Sequence, residues 1–229
     1  MRVTAIVPSA GKSERMKSPV EKPYLLLGDK PVLAHTLLAL ERSPDIQEIV
    51  LVVRRSRIVR ARKLVRHFNL RKVTQIREGG ATRFESVFRG LRAVSPETDL
   101  VLVHDGARPL LSADLIRRVR RSAHRYGAAI PVIPVSPTIK RGKGGFVTGT
   151  LDRKELWDVQ TPQGFRYPLF LKACYSAKKK KRDMTDCASV VEEFGKKVRL
   201  VPGDRRNIKI TTPEELQFAA FLLKRKQIQ

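Results

Sequence analysis

Several residue types are scarce in this chain of 229 residues, and each scarcity excludes a class of protein. Two cysteines, Cys174 and Cys187, are too few for a disulfide framework or a four-cysteine zinc site, so both are expected to be reduced thiols. No apolar run approaches the roughly 20 residues that a membrane-spanning helix needs, so no membrane partner is expected. The first residues, Met1–Pro8, are too strand-like for a signal peptide, which predicts a cytoplasmic protein.

Acidic and aromatic residues are also few. Lysine and arginine number 47 against 22 acidic residues, a formal net charge of +25. Such a charge attracts nucleic acid, anionic lipid or phosphate-bearing small substrates. Basic runs at 117–121 and 178–182 would suit RNA, but only 6% of the residues are aromatic and no aromatic-rich sheet motif is present. Solvated helix faces and a loop are the preferred interpretation, and no nucleic-acid partner is expected.

Short apolar runs alternate with helical patterns over the first 135 residues. Strands are predicted at 3–8, 49–53, 73–76, 100–103 and 128–135, with helices at 31–42, 56–68, about 84–91 and 112–126. This alternation predicts an α/β fold of Rossmann-like type, with a mostly parallel sheet and helices on both faces. In such sheets ligands bind beyond the carboxyl ends of the strands. One domain over residues 1–229 is the simplest division.

The pattern changes after residue 135. Residues 136–153 contain four glycines around a short apolar segment, which predicts a protruding β-hairpin or arm. A helix near 168–177, a helix capped by Thr185 and strands at 197–201 and 208–210 are expected next. The residues Thr212-Pro213-Glu214-Glu215 form a capping box with proline at the first helical position, so a last helix begins there.

The loop after the first strand reads Ser9-Ala10-Gly11-Lys12-Ser13-Glu14-Arg15-Met16. It is not a P-loop, because that motif needs glycine at position 6, where isoleucine stands. Small residues still let backbone N–H groups approach phosphates. Arg15 and Lys22 add the fixed cations that nucleotidyl transfer needs, since charge builds on the phosphorus oxygens and the leaving pyrophosphate. Taken alone, the loop is also compatible with an ordinary basic surface turn.

Two further loops follow predicted strands. In Gly79-Gly80-Ala81-Thr82-Arg83-Phe84-Glu85-Ser86-Val87, paired glycines allow close approach to a flat ligand, and Ser86 offers a hydroxyl at the start of a helix. His104-Asp105-Gly106-Ala107-Arg108-Pro109 places an acid and an arginine at a strand end, where Asp105 is a candidate ligand for a divalent metal or a substrate hydroxyl. Four scattered histidines disfavour a His–Asp metal hydrolase, so His104 is interpreted as a packed strand-end residue.

Four more motifs follow these loops in order: Asp152-Arg153-x-x-Leu156-Trp157, Gln160-Thr161-Pro162-Gln163, Thr185-Asp186-x-Ala188-Ser189 and Asn207-Ile208-Lys209-Ile210-Thr211. With them the sequence resembles, from about residue 3 to 216, the 2-C-methyl-D-erythritol 4-phosphate cytidylyltransferases of the non-mevalonate isoprenoid pathway. The resemblance implies a nucleotidyltransferase that joins CTP to methylerythritol phosphate as 4-diphosphocytidyl-2-C-methyl-D-erythritol, releases pyrophosphate and uses Mg²⁺.

The resemblance also implies residue roles. Arg15 and Lys22 match catalytic residues that stabilise the transition state at the α-phosphate, and Arg153 and Lys209 match those that position methylerythritol phosphate. The implied nucleotide-side residues, with Asp105 as metal ligand, are Ser9, Ala10, Gly11, Gly80, Ser86, Asp105 and Ala107. Those implied near the second substrate are Arg108, Thr138, Thr161, Thr185 and Asp186. The family is a homodimer whose arm, here 136–153, reaches the neighbouring site, so Arg153 would act in trans.

The chemistry agrees with this set of residues. The attacking group is already a phosphate, so no strong general base is needed, and the repulsion between two anions is the main obstacle. Four cations and Mg²⁺ relieve that repulsion, while positioning makes the step effectively unimolecular.

The sequence departs from the family pattern at Ser13, Glu21, Ala81 and Cys187. Glu21 is expected to weaken the positive potential beside Lys22. Two alternatives stay open at this point. One is a cytidylyltransferase for ribitol 5-phosphate, with the same fold and first loop. The other is a basic RNA-binding protein on a degenerate nucleotidyltransferase fold, whose RNA affinity would fall steeply with salt.

Overall fold

A computed structural model describes residues 1–11, 21–180, 184 and 186–228, with the backbone alone at residue 22 and at 226–228. The strands are β1 (Val3–Pro8), β2 (Leu26–Leu27), β3 (Lys30–Pro31), β4 (Glu48–Val53), β5 (Val73–Glu78), β6 (Leu100–Val103), β7 (Ala128–Pro134), β8 (Lys140–Lys143), β9 (Phe146–Thr150), β10 (Trp157–Val159), β11 (Gln163–Arg166) and β12 (Arg199–Pro202). The helices are α1 (Val32–Glu41), α2 (Ile58–His67), α3 (Arg83–Leu91), α4 (Ala113–Tyr126), α5 (Tyr167–Lys179), α6 (Cys187–Glu193) and α7 (Pro213–Ile228).

Within the described residues, eight strands form the main sheet. β1 pairs in parallel with β4 and β6, and β4 pairs in parallel with β5. β11 joins β6 and β7 in antiparallel orientation, β10 pairs antiparallel with β7, and β12 pairs in parallel with β7. The continuous apolar runs of β4 and β6 are typical of strands covered on both faces. The predicted mostly parallel α/β sheet is confirmed.

Helices cover both faces of this sheet. Successive side chains of a strand point to opposite faces, so neighbouring residues of β1 pack against different helices. Ala5 and Val7 of β1 pack into the apolar cluster that contains residues of α1, α2 and α4. Ile6 packs into the cluster formed with α3, α5 and α6. Cys174 and Cys187 are buried free thiols in this second cluster, as predicted.

Local signals placed several helix ends correctly. The Ser112 hydroxyl accepts a hydrogen bond from the Leu115 N–H at 3.3 Å, and Gly127, with φ of +91°, ends α4. Glu215 accepts from the Thr212 N–H at 2.9 Å, which confirms the capping box at α7.

The second half of the chain required corrections. The predicted cap of α6 was wrong. The Asp186 carboxylate caps this helix by accepting a hydrogen bond from the Ser189 N–H at 2.9 Å. Thr185, the residue predicted for that role, lies outside the described residues. Residues 208–210 are irregular and not a strand, while β10 and β11 went unpredicted. The hairpin at 136–153 is confirmed by antiparallel β8 and β9. Across the described residues, no helix combines the length and hydrophobicity needed to cross a bilayer.

Candidate active site

A cleft of about 380 Å³ opens beyond the carboxyl ends of β1, β4, β5 and β6. Its lining residues are Pro8, Ser9, Ala10, Gly11, Pro23, Arg54, Gly80, Ala81, Thr82, Arg83, Ser86, Asp105, Gly106, Ala107 and Lys209. All three loops singled out in the sequence therefore contribute to one cavity. Parallel strands bring their carboxyl ends to one edge, which is why residues far apart in sequence meet there.

The first loop lies unusually close to the other two. A Cβ added to Gly106 would lie 1.9 Å from the Ser9 Oγ, and one added to Gly79 would lie 2.4 Å from the Ala10 Cβ. Both glycines are thus required by the close approach of side chains from the first loop. The Ser9 Oγ is buried and has no hydrogen-bond partner within the described residues, which leaves it available to a ligand.

The second loop is held by its own side chains. The Ser86 hydroxyl accepts from the Gly80 N–H at 3.1 Å and donates to the Thr82 carbonyl oxygen at 3.0 Å. Thr82 in turn caps α3 by accepting from the Glu85 N–H at 3.1 Å. Ser86 and Gly80 both line the cleft, and the Ser86 hydroxyl also shapes the loop through these two hydrogen bonds.

Asp105 is the electrostatic centre of the cleft. Its carboxylate lies 2.8 Å from the Lys209 Nζ, 3.1 Å from an Arg83 guanidinium nitrogen and 3.9 Å from the Arg108 Nε. Burial by itself raises the pKa of Asp105, but the charges of Arg83, Lys209 and Arg108 outweigh it and hold the pKa well below its usual range. Asp105 is therefore ionised at neutral pH.

His104 is buried next to Asp105 and is linked to the Asp105 backbone through the Thr161 hydroxyl. Its Nε2 lies 3.2 Å from the Arg108 carbonyl oxygen, to which it donates, so its Nδ1 accepts from the Thr161 hydroxyl at 2.9 Å. The same hydroxyl accepts from the Asp105 N–H at 3.2 Å. Burial lowers the pKa of His104 to about 4, so the ring is neutral at pH 7. The interpretation as a packed strand-end histidine is confirmed.

The segment that carries Lys209 is fastened to the third loop. The Asn207 side-chain amide donates to the Thr161 carbonyl oxygen at 2.6 Å, and an Arg108 guanidinium N–H donates to the Asn207 carbonyl oxygen at 2.7 Å. The Ile210 N–H donates to the Ala107 carbonyl oxygen at 2.8 Å. Arg108 and Thr161 are buried and do not line the cleft. Through their hydrogen bonds to Asn207 they hold the segment that carries Lys209 next to Asp105.

The structure does not bring every predicted site residue to the described cleft. Thr138 is exposed between β7 and β8, and exposed Arg153 donates to the Ser136 carbonyl oxygen at 3.1 Å. Asp186 caps α6 and accepts from the Gln163 side-chain amide at 2.8 Å. Arg15 and Thr185 lie outside the described residues, and Lys22 has only its backbone described, in a short 3₁₀ helix over Lys22–Tyr24.

Two cleft cations carried no predicted role. Arg83 was noted only as part of a motif, yet it contacts Asp105 and also donates to the Cys187 Sγ at 3.3 Å. Arg54 follows β4 directly, lines the cleft and donates from Nε to the Ala10 carbonyl oxygen at 3.1 Å. The sequence position of Arg54 could have predicted its place in the cleft, because a residue just after a parallel strand lies at the edge of the sheet where ligands bind.

Asp105 is the residue of the described cleft that could bind the expected divalent cation. It is the sole carboxylate that lines the described part of the cleft, and the described residues hold no cluster of three or more potential metal ligands. Mg²⁺ commonly binds through one or two carboxylates together with substrate phosphates. A single carboxylate in the cleft suits that mode, although Arg83 and Lys209 already contact its oxygens.

The fold and the cleft define an α/β nucleotidyltransferase. Solved structures agree with this class. A 4-diphosphocytidyl-2C-methyl-D-erythritol synthase from Anaerococcus prevotii has a TM-score of 0.84 at 31% identity, covering 97% of this chain and 96% of that one. A 2-C-methyl-D-erythritol 4-phosphate cytidylyltransferase from Thermus thermophilus has a TM-score of 0.81 at 35% identity, covering 98% and 100%.

The chain belongs to the 2-C-methyl-D-erythritol 4-phosphate cytidylyltransferase family, whose sequence profile matches residues 3–225. A relative of that name from Geobacillus kaustophilus is 44% identical over 223 residues, which is 97% of each chain. Another from Pelotomaculum thermopropionicum is 44% identical over 228 residues, which is 99% of this chain and 96% of the relative. The resemblance read from the motifs is thus confirmed.

Proposed function

We propose that this protein transfers the cytidylyl group of CTP to 2-C-methyl-D-erythritol 4-phosphate. The products are 4-diphosphocytidyl-2-C-methyl-D-erythritol and pyrophosphate, and the reaction belongs to the non-mevalonate route to isoprenoids. The observation that carries this proposal is the family match over residues 3–225. This match covers the first loop, which would bind the nucleotide, and also the segments around Arg153 and Lys209, which would bind the second substrate.

The reaction is a displacement at the α-phosphorus of CTP. A phosphate oxygen of methylerythritol phosphate forms the new P–O bond, and the bond to the β-phosphate oxygen breaks as pyrophosphate leaves with its electron pair. Both reactants are anions, so fixed cations lower the barrier more than a general base would. We assign this role to Arg15 and Lys22 at the α-phosphate, with Lys209 and Arg153 holding the acceptor phosphate.

Mg²⁺ at Asp105 would neutralise charge on the triphosphate when bound. The groups of this chain do the rest of the work around it. The anionic Asp105 keeps the Lys209 ammonium at the cleft, and the buried contacts of Arg108 and Thr161 fix the two segments relative to each other. A rigid arrangement of this kind avoids reorganisation during the reaction.

The arm at 136–153 is proposed to exchange between two copies of the chain in a homodimer, with residues 1–229 as one domain. Two observations support this. Phe146 at its tip is 79% exposed and Val147 beside it is 66% exposed. In addition, Arg153 at its base does not line the described cleft of its own chain. An arm from the partner would bury the apolar tip and supply the missing arginine.

The test is pyrophosphate release with CTP and Mg²⁺, comparing methylerythritol phosphate with ribitol 5-phosphate as acceptors. Rapid release with the first and background release with the second is the expected result. A preference for ribitol 5-phosphate would overturn the assignment. RNA binding with a steep dependence on salt, without turnover of either acceptor, would favour the binding alternative. A cytoplasmic location stays a prediction from the sequence.

A further inference from the structure

Glu21 forms an ion-pair cluster with two arginines beside the cleft. Its carboxylate accepts from an Arg54 guanidinium N–H at 3.2 Å and from the Arg57 Nε at 3.0 Å. All three side chains are partly buried, with 21 to 37% of each exposed. Glu21 stands where the sequence departs from the family pattern, and it was expected to weaken the positive potential next to Lys22. The structure instead neutralises it with two positive charges.

Arg54 also reaches the first loop. Its Nε donates to the Ala10 carbonyl oxygen at 3.1 Å while its terminal nitrogen contacts Glu21. Ala10 and Glu21 are the residues next to the two ends of the segment 11–20, which contains Arg15. A planar guanidinium has donors fixed in direction, so one arginine can hold two acceptors at a set separation. Arg54 therefore ties the loop after β1 to the backbone that leads into Lys22.

The backbone after Glu21 is anchored on its other side. The Tyr24 N–H donates to the Glu21 carbonyl oxygen at 2.9 Å, which closes the 3₁₀ turn containing Lys22. The Tyr24 ring is buried, with the Arg60 guanidinium 4.1 Å from its centre. Lys22 thus lies between a residue bound by two arginines and a residue packed in the core.

We propose that Glu21 and Arg54 are positioning residues, which act through Lys22 by fixing its backbone relative to the first loop. The inference rests on the proposed cytidylyl transfer for its catalytic meaning. Small displacements of a catalytic group are costly, since an error of about 1 Å can reduce the rate about 10²-fold. Glu21 then helps catalysis despite its negative charge, whereas a purely electrostatic effect of Glu21 would oppose it.

The direction in which Glu21→Gln changes kcat distinguishes the positioning role from the purely electrostatic role. Glu21→Gln removes the charge and weakens both ion pairs, so a positioning role predicts kcat about tenfold lower with KM for CTP nearly unchanged. A purely electrostatic role predicts kcat equal to or above that of the wild type. Arg54→Lys keeps the charge but loses the fixed fork, so it should lower kcat almost as much as Arg54→Gln.

Two comparisons complete the experiment. Arg55→Gln, at an exposed arginine in the same turn, removes one positive charge without touching Glu21 and should leave kcat unchanged. The double variant Glu21→Gln/Arg54→Gln should lose less than the sum of the two single losses, because both changes break the contact between Glu21 and Arg54. Additive losses, or an Arg55→Gln loss equal to that of Arg54→Gln, would overturn the proposal.

Hydrogen exchange at the Tyr24 amide gives a readout that needs no turnover. The amide should exchange faster in Glu21→Gln and Arg54→Gln than in the wild type, and at the wild-type rate in Arg55→Gln. Unchanged exchange in the first two variants would refute the positioning role. Faster exchange together with a wild type that does not turn over methylerythritol phosphate would refute the proposed function and leave the contact itself established. Faster exchange with undiminished kcat would refute its importance for catalysis.

Discussion

The Lys209 ammonium nitrogen lies 2.8 Å from a carboxylate oxygen of Asp105, although 104 positions separate the two residues in the sequence. The contact joins the third loop to the irregular segment before α7. It keeps a cation at the cleft beside an acid, and we expect the ammonium group to engage substrate phosphates and the carboxylate to engage a divalent metal. Lys209 is 39% exposed, so its ammonium group remains accessible to a ligand.

Replacing Lys209 should affect the acceptor more than the nucleotide. In Lys209→Ala we expect kcat/KM for methylerythritol phosphate to fall about 10²-fold, the scale for loss of one fixed donor to developing charge. Asp105 keeps Arg83 as a partner at 3.1 Å, so the fold should survive. Steady-state kinetics with each substrate varied in turn measures the effect. Lys63→Ala, at an exposed lysine of α2, is the matched control. A loss confined to KM for CTP would contradict the assignment.

The site should also be shared between two subunits. Lys22→Ala is expected to lower kcat by at least about 10²-fold, and Arg153→Ala to be similarly impaired. If the arm carries Arg153 into the partner's cleft, mixed dimers of the two inactive variants contain one intact site. Mixing the variants should then restore up to about a quarter of wild-type activity, since random pairing gives half heterodimers with one complete site each.

That experiment has a direct control. Mixing two preparations that carry the same variant must restore nothing. Absence of rescue between Lys22→Ala and Arg153→Ala, when subunit exchange is demonstrated by labelled subunits, would place Arg153 in its own chain's site and rule out action in trans.

His104 should make stability depend on pH over a definite range. Its pKa is about 4 in the folded chain, against about 6.5 in an unfolded one. Only the unfolded chain gains the proton between these values, so the stabilisation is complete above pH 6.5 and declines as the pH falls towards 4. The maximal loss is about 3 kcal/mol. Denaturant unfolding at pH 6.5, 5.5 and 4.5 measures it.

A variant without a titratable group at position 104 tests whether His104 causes this pH dependence of stability. His104→Gln should be less stable than the wild type at pH 7, because it disturbs the contacts with Thr161 and the Arg108 carbonyl oxygen. Its unfolding free energy should nevertheless change less between pH 6.5 and 4.5. An identical slope in both proteins would show that other groups control the acid response.

Gly90 tests how closely α3 packs on the sheet. A Cβ at this position would lie 2.7 Å from the Ile6 Cγ2 and 2.9 Å from the Val52 Cγ2, both in the buried core. Alanine favours helices over glycine by about 1 kcal/mol. Overpacking costs about 1–3 kcal/mol, so Gly90→Ala should lower the free energy of unfolding. Thermal and denaturant unfolding should show this.

The neighbouring side chain provides the compensating change. In a Val52→Ala background, one of the two close contacts is gone, and Gly90→Ala should cost less there than in the wild type. A gain in stability from Gly90→Ala in the wild-type background would mean that helix propensity outweighs packing at this position.

The sequence by itself determined the elements whose residues interact locally. The apolar runs of β1, β4 and β6, the hydroxyl cap of α4 and the capping box of α7 all depend on neighbours within a few positions. The rim of the cleft was also predictable, because parallel strands fix where their following loops meet. Family motifs supplied the identity of the chemistry in the same way, as short strings in a constant order.

Only the tertiary structure decided which groups those residues contact. The pairings of β10 and β11, the irregular path at 208–210 and the burial of Arg108 depend on contacts between distant segments, which no local pattern encodes. Glu21 shows this most clearly, since its neighbour Lys22 suggested a harmful charge and the folded chain supplies Arg54 and Arg57 from after β4. A side chain's electrostatic effect is set by distances in space, and folding fixes those distances between residues that the sequence keeps apart.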